Sequence, residues 1–111
     1  MADIISFKDW QKFDIRVGKI LKVEDHPDAD KLYVLEVDIG TEKRKLVAGL
    51  KQHYDKKKLK GKTCLVFTNI EPAKIRGVES NGMVLAAVNS DRSKVFLIAP
   101  EDDLELGSKV Q

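Results

Sequence analysis

Phe13, Ile15 and Val17 alternate with Asp14, Arg16 and Gly18, the period-two pattern of a strand with one face buried. The phase breaks at Gly18-Lys19-Ile20-Leu21. A glycine at such a break predicts a bulge or bend, and a long bent first strand can serve two sheets. His26-Pro27-Asp28-Ala29-Asp30 is a turn, with φ fixed by Pro27 and carboxylates able to accept from nearby amides. Tyr33, Leu35, Val37 and Ile39 then share one face, with Glu36 and Asp38 opposite, and Gly40-Thr41 turns the chain. Lys43 to Ala48 returns as a third strand. Gly49 to Lys60 is predicted as an internal helix, with Leu50 and Tyr54 four apart to plug a barrel end. Thr63 to Thr68, Met83 to Val88 and Val95 to Ala99 are further apolar strands. Three strands, a short helix, then two or three strands is the order of an OB-fold, an all-β five-stranded Greek-key barrel.

Both ends exceed what a barrel needs. Ser6 can cap a helix start, with Asp9 three residues on as a short-armed capping box. Phe7 and Trp10 are spaced to share a face. Leu104, Leu106 and Val110 lie past the last barrel strand and need a surface to pack on.

Length and composition narrow the class. The 111 residues are enough for one domain, 1–111, with one modest core. Hydrophobic residues at 42% and charged residues at 34% describe a globular chain rather than a disordered one. No apolar run approaches the roughly 18 residues of a membrane span, and no signal peptide is visible; the expected location is the cytoplasm. Cys64 is the single cysteine and sits in an apolar run, so an intrachain disulfide is excluded. A net charge of +2 is too mild to argue for a polyanionic partner by itself, so the distribution has to carry that argument. Positive charge concentrates from Lys43 to Lys62, where Asp55 is the one acid. Such a field steers nucleic acid without reading it.

The most informative stretch is Asn69 to Ala87. Most hairpin loops have roughly two to five residues, and longer ones tend to be functional. This one carries Lys74, Arg76 and Gly77, and a Ser80-Asn81-Gly82 turn closes it. If the segment is extended, Lys74 and Arg76 at i and i+2 point to the same side, with Ile75 facing the protein. Cations on a stiff loop beside a sheet suit a phosphate backbone.

Asn69-Ile70-Glu71-Pro72-Ala73-Lys74-Ile75-Arg76-Gly77-Val78-Glu79-Ser80-Asn81-Gly82-Met83 resembles the signature of the tRNA-binding domains that are appended to, or work beside, methionyl- and tyrosyl-tRNA synthetases. Three other stretches fit the same family in the same order: Phe13 to Ile20, His26 to Tyr33 and Lys43 to Leu50. Ile75 stands where that family usually has Met, and Ala48 where Ser is common; neither change removes a charge. The resemblance implies structure-selective, sequence-nonspecific tRNA binding by a module that assists methionyl-tRNA synthetase, either free-standing or as its detached C-terminal piece. On that pattern Lys74 and Arg76 contact phosphates, Asn69 and Ser80 bond ribose or backbone, and Met83 packs beside them or supports the loop from the core. Lys31 and Arg44 are neighbouring candidates. The partners so implied are tRNA, a second copy of the chain in a homodimer built from the extra terminal pieces, and a methionyl-tRNA synthetase catalytic chain, with no membrane.

Catalysis has little to stand on in the sequence. There is no Gly-rich phosphate loop, no cofactor motif and no spaced set of metal ligands; His26, Asp28 and Asp30 are accounted for by turn chemistry. The competing reading is a chaperone-like protein binder, because an export chaperone shares this fold and much of the signature. General single-strand binding calls for stacking aromatics, and aromatics are 6% of the chain.

Overall fold

The computed structural model describes residues 3–111. Strand β1 (Ile15–Asp25) is the axis on which the other strands are hung. Its first part pairs antiparallel with β4 (Thr63–Phe67) and its second part with β2 (Tyr33–Asp38); Lys19 belongs to both ladders, opposite Thr63 and Asp38. β2 continues to β3 (Lys43–Ala48) and β4 to β7 (Met83–Val84), which gives the order β3-β2-β1-β4-β7. The two ends of that sheet are joined. Asn81 N–H donates to the Lys45 carbonyl at 2.8 Å, and Val47 N–H to Ser80 Oγ at 3.0 Å. The outcome is a nearly closed, all-β, OB-like barrel with a short helix between its third and fourth strands, as the order of the sequence predicts.

Alternation explains the core. Tyr33, Leu35 and Val37 turn inward from β2, and Ile20, Leu46, Leu59, Cys64 and Val66 are wholly enclosed with them. Each fully buried aliphatic side chain contributes roughly 1.5–3 kcal/mol. Burial pushes the Cys64 thiol up to about 12, so it stays protonated and inert.

The bulge expected at Gly18 lies further on, at Leu21, between the Ile20–Val37 and Lys22–Glu36 pairs. What Gly18 supplies is closeness: a Cβ there would stand 2.8 Å from Val37 Cγ1. At Gly18, β1 therefore lies against Val37 and Val66 where no side chain fits.

The expected helix over 49–60 is reduced to a turn at 51–53 and one turn of helix, α2 (Lys56–Leu59). Leu50 and Leu59 are both buried, at 3% and 0% exposure. They are nine positions apart, which on a helix of roughly 3.6 residues per turn is opposite faces. An extended Asp55 breaks the helix so that both reach the core. Tyr54, at the break, accepts the Tyr33 hydroxyl on its carbonyl at 2.8 Å.

The apolar run from Met83 to Val88 is also divided. β7 stays in the barrel, whereas β8 (Ala86–Val88) leaves it to pair with β9 (Val95–Leu97). At the N-terminus, α1 (Phe7–Trp10) is capped by Ser6 Oγ, which accepts from Asp9 N–H. Phe13 follows and stacks on Phe67 with centroids 5.2 Å apart. The C-terminal tail finds its surface on β1: Val17 N–H donates to Ser108, and Val110 N–H to Ile15. Among the described residues no helix is long and apolar enough to cross a membrane.

Candidate nucleic-acid interface

The long loop is itself a hairpin that stands off the barrel. β5 (Ala73–Ile75) pairs with β6 (Val78–Ser80), and Arg76-Gly77 is a two-residue turn with φ of 50° and 89°. Two positive φ values in succession are the pattern of a type I′ turn, whose twist matches the strands it joins. Gly77 meets this requirement without cost. Arg76 does not, since a non-glycine residue in the left-handed region costs roughly 1–2 kcal/mol and Asn or Asp tolerates it better. An arginine in that place is unexplained by turn chemistry. It donates through Nη2 to the Asp28 carbonyl at 3.0 Å, leaving most of its guanidinium exposed.

The same-side arrangement expected for Lys74 and Arg76 therefore does not hold. They are not two alternate residues of one extended strand, because Arg76 lies in the turn. Lys74 projects from β5, exposed, directly across from Glu79. Ile75 and Val78 oppose each other on the half-buried face. That part of the expectation, Ile75 facing the protein, agrees with the structure.

Three other predicted site residues, Ser80, Asn69 and Arg44, are engaged in structural hydrogen bonds. Ser80 is 4% exposed; its hydroxyl accepts from Val47 N–H and donates to the Gly82 carbonyl at 3.0 Å. Nothing of it remains for a ribose. Asn69 donates to the Lys12 carbonyl at 2.7 Å and accepts from Asp14 N–H at 2.8 Å, clamping the entry of β1. Arg44 donates through Nε to Glu42 and through Nη1 to the Thr68 and Asn81 carbonyls. It ties the start of β3 to the root of the signature. Ser80 and Arg44 are drawn in because buried or half-buried donors and acceptors must be paired, whereas Asn69 makes its two bonds at the exposed edge. Met83 departs in the other direction. It is 43% exposed, beside a groove lined by Val47, Leu50, Ala86, Val88 and Val95, and does not serve the core.

Asp14 belongs to the same root. Its carboxyl lies below the ordinary value of 3.8, held there first by the Thr68 hydroxyl and then by Arg16.

Sequence reasoning missed His26. It is 5% exposed, with Nδ1 2.9 Å from Asp28 N and Nε2 3.0 Å from the Ile75 carbonyl. Both nitrogens are occupied by backbone, so neither is a ligand for a metal. No local signal in His26-Pro27-Asp28 points to a partner 49 residues downstream. Lys31 is exposed on the same turn.

The basic span is less bare than its composition predicts. Lys51 and Lys56 both reach Asp25, each at 3.2 Å, and hold its carboxyl low. Lys43 and Lys45 face Asp38 and Glu36 across the β2–β3 ladder. Lys57, Lys58 and Lys60 remain exposed on and after α2.

A small barrel closed by polar contacts, with exposed cations on a hairpin outside its sheet, presents an open surface suited to binding. Residues 15–109 match the family described as "Putative tRNA binding domain", and the chain belongs to that family. It is 50% identical over 109 residues to a methionine–tRNA ligase of Pyrococcus horikoshii, covering 98% of this chain but 15% of that relative. It thus spans a small part of the length of such synthetases. Among solved structures, a MetRS-related protein from Pyrococcus horikoshii superposes with a TM-score of 0.92 at 33% identity, covering 99% of this chain and 100% of that one. The chaperone CsaA of Bacillus anthracis superposes with a TM-score of 0.87 at 25% identity, covering 98% and 100%.

Proposed function

We propose that the chain binds tRNA by its shape and phosphates, without reading sequence, and that it serves a methionyl-tRNA synthetase as a non-catalytic, cytoplasmic module. The observation that supports this most is the exposed Lys74–Arg76 hairpin, where an arginine occupies a turn position that favours glycine or asparagine. Double-helical RNA hides its base edges in a deep groove, so a protein meets its phosphates and 2′-hydroxyls. Lys74 and Arg76 provide the phosphate contacts, with Lys31 on the adjoining turn and Met83 against the ribose or an exposed base. Asn69, Ser80 and Arg44 act by holding the hairpin's root.

A gel-shift series with tRNA, unstructured RNA of equal length and duplex DNA at one salt concentration tests this reading. Tightest binding to folded tRNA is expected, with affinity falling steeply with salt. Equal affinity for the denatured oligonucleotide would remove the selectivity.

A homodimer is part of the same reading. Phe7 is 71% exposed, Ile4 99% and Leu104 54%, and two-fold pairing is the commonest way to cover such apolar surface. Sedimentation equilibrium at micromolar concentration should give the dimer mass; a monomer mass rejects it. The chaperone alternative has one observation of its own, the groove beside Met83, where apolar side chains including exposed Val88 lie among Gln52, His53 and Arg92. An unfolded peptide that binds there and that tRNA does not displace would favour it.

A further inference from the structure

We infer that His26 is the positioning residue of the cationic hairpin, a neutral imidazole that fastens the tip of β5–β6 to the Pro27 turn and so fixes how Lys74 and Arg76 meet RNA. The inference rests on the proposed tRNA site and adds a residue from outside the Asn69–Met83 stretch.

The protonation pattern follows from the partners. A backbone N–H can only donate and a carbonyl can only accept. Asp28 N–H faces Nδ1 at 2.9 Å, so Nδ1 is the acceptor; the Ile75 carbonyl faces Nε2 at 3.0 Å, so Nε2 carries the proton. The ring is thus one neutral tautomer, specified from both sides. It is 5% exposed, and a bond lost there leaves a polar group unpaired.

The mechanical consequence depends on where these bonds sit. The base of the hairpin is secured at Ser80 and Asn81, whose partners are on β3. The far end is not part of the barrel sheet. Among the described residues two hydrogen bonds hold it there: Nε2–H of His26 to the Ile75 carbonyl, and Arg76 Nη2–H to the Asp28 carbonyl. His26 also orders Asp28 through Nδ1. One ring therefore sets both ends of the second bond, the strand that leads to Arg76 and the turn that receives it. Arg76 uses one N–H on Asp28 and keeps the remaining donors for a phosphate. The same turn carries Lys31, so the ring also fixes the third exposed cation relative to the other two. Preorganisation of this kind raises affinity by removing an ordering cost, with no new contact to the ligand.

The side-chain amides separate the two bonds. In His26→Gln the amide nitrogen can occupy the place of Nε2 and donate to Ile75. In His26→Asn the shorter chain can replace Nδ1 as acceptor for Asp28 but cannot reach Ile75. His26→Gln should bind tRNA within about twofold of the parent, and His26→Asn roughly three- to tenfold more weakly, the range of one net hydrogen bond. Without RNA, amide hydrogen exchange should quicken across β5–β6 in His26→Asn and much less in His26→Gln, with core strands unchanged. In a Lys74→Ala/Arg76→Asn background the His26→Asn loss should shrink below about twofold, since the ring acts through those cations. Equal binding by the Asn and Gln variants, or an undiminished loss in the double-variant background, overturns the role of His26. If Lys74→Ala/Arg76→Asn itself binds tRNA like the parent, the proposed site falls and takes this role with it; the exchange data then still report whether the ring holds the hairpin.

Discussion

Residues 80–82 and residues 74–76 belong to one motif and have opposite employment. The Ser80-Asn81-Gly82 part is turned inward and closes the barrel against β3. Lys74 and Arg76 are turned outward, on a hairpin that lies outside the barrel sheet and ends in a two-residue turn. A run of sequence that recurs in a family need not be one site. Here the inward part sets the position from which the outward part projects, so the former should fail as a fold and the latter as a binder.

The largest effect is expected inside. Gly82 has φ of +141°, and a Cβ would lie 2.9 Å from Leu46 Cδ2 and 3.2 Å from the Phe67 carbonyl. Gly82→Ala should cost about 2–4 kcal/mol, from strain and overpacking combined. Ser80→Ala should cost about 1–3 kcal/mol, because Val47 N–H is left unpaired. Thermal or denaturant unfolding measures both. If either variant melts with the parent, the inward part is not what seals the barrel.

Next come the cations. Lys74→Ala should weaken tRNA binding and lower the log–log salt slope by about one, the value of one phosphate contact. Arg76→Asn is a sharper test than Arg76→Ala, because Asn tolerates the left-handed turn. It should bind more weakly by a similar measure while stability moves by less than about 0.5 kcal/mol or rises slightly. Unchanged affinity in both variants would make the outward part a surface ornament and erase the comparison.

This division could not be read from the chain. Barrel order was legible because Leu35-Glu36-Val37-Asp38-Ile39 alternates cleanly and each such run ends in turn residues. The helix at 49–60 was overdrawn, since a pattern with Leu50 and Tyr54 four apart gives no warning that Leu59 must also face inward. The sequence suggests Ser80, Asn69 and Arg44 as ligand contacts because a polar residue has no sequence mark that tells a ligand contact from a structural bond. Their partners, Val47, Asp14 and Thr68, lie 24 to 55 residues away. His26 was hidden by the same distance. Lys74 and Arg76, exposed and on the loop, were where sequence placed them, though their relative direction required the turn's dihedrals.

A smaller effect belongs to the basic span. Lys57→Ala should change tRNA affinity less than twofold, since an exposed lysine offers field and no fixed contact. Replacing Lys57, Lys58 and Lys60 together with Gln should slow association at low salt and matter little near physiological salt, where the Debye length is about 8 Å. Stopped-flow association at two salt concentrations separates the cases. A loss for Lys57→Ala larger than that for Lys74→Ala would move the interface to α2.

The smallest effect probes the root that the two parts share. Asp14 joins the start of β1 to Thr68, and its carboxyl is held below 3.8 by the Thr68 hydroxyl first and by Arg16 after it. A depressed carboxyl contributes stability that is fully present above its unfolded value and is lost as pH falls through the folded one. At neutral pH Asp14→Asn should therefore melt slightly below the parent, because its amide is a weaker acceptor for Thr68 and has no charge for Arg16. As pH falls below the ordinary carboxyl value of 3.8 and through the lower value of the folded state, the parent's carboxyl becomes protonated and the gap should close. The difference is small because the side chain is 31% exposed and its Arg16 partner 37%, so solvent screens the pair. Affinity for tRNA at neutral pH should not change, because Asn69 still holds the Asp14 amide through its side chain. A melting gap that persists at the lowest pH would mean that shape rather than charge is lost at Asp14. A drop in tRNA affinity without a drop in melting temperature would mean that the root tunes the hairpin directly, and that the inward and outward parts are coupled more tightly than their separate bonds require.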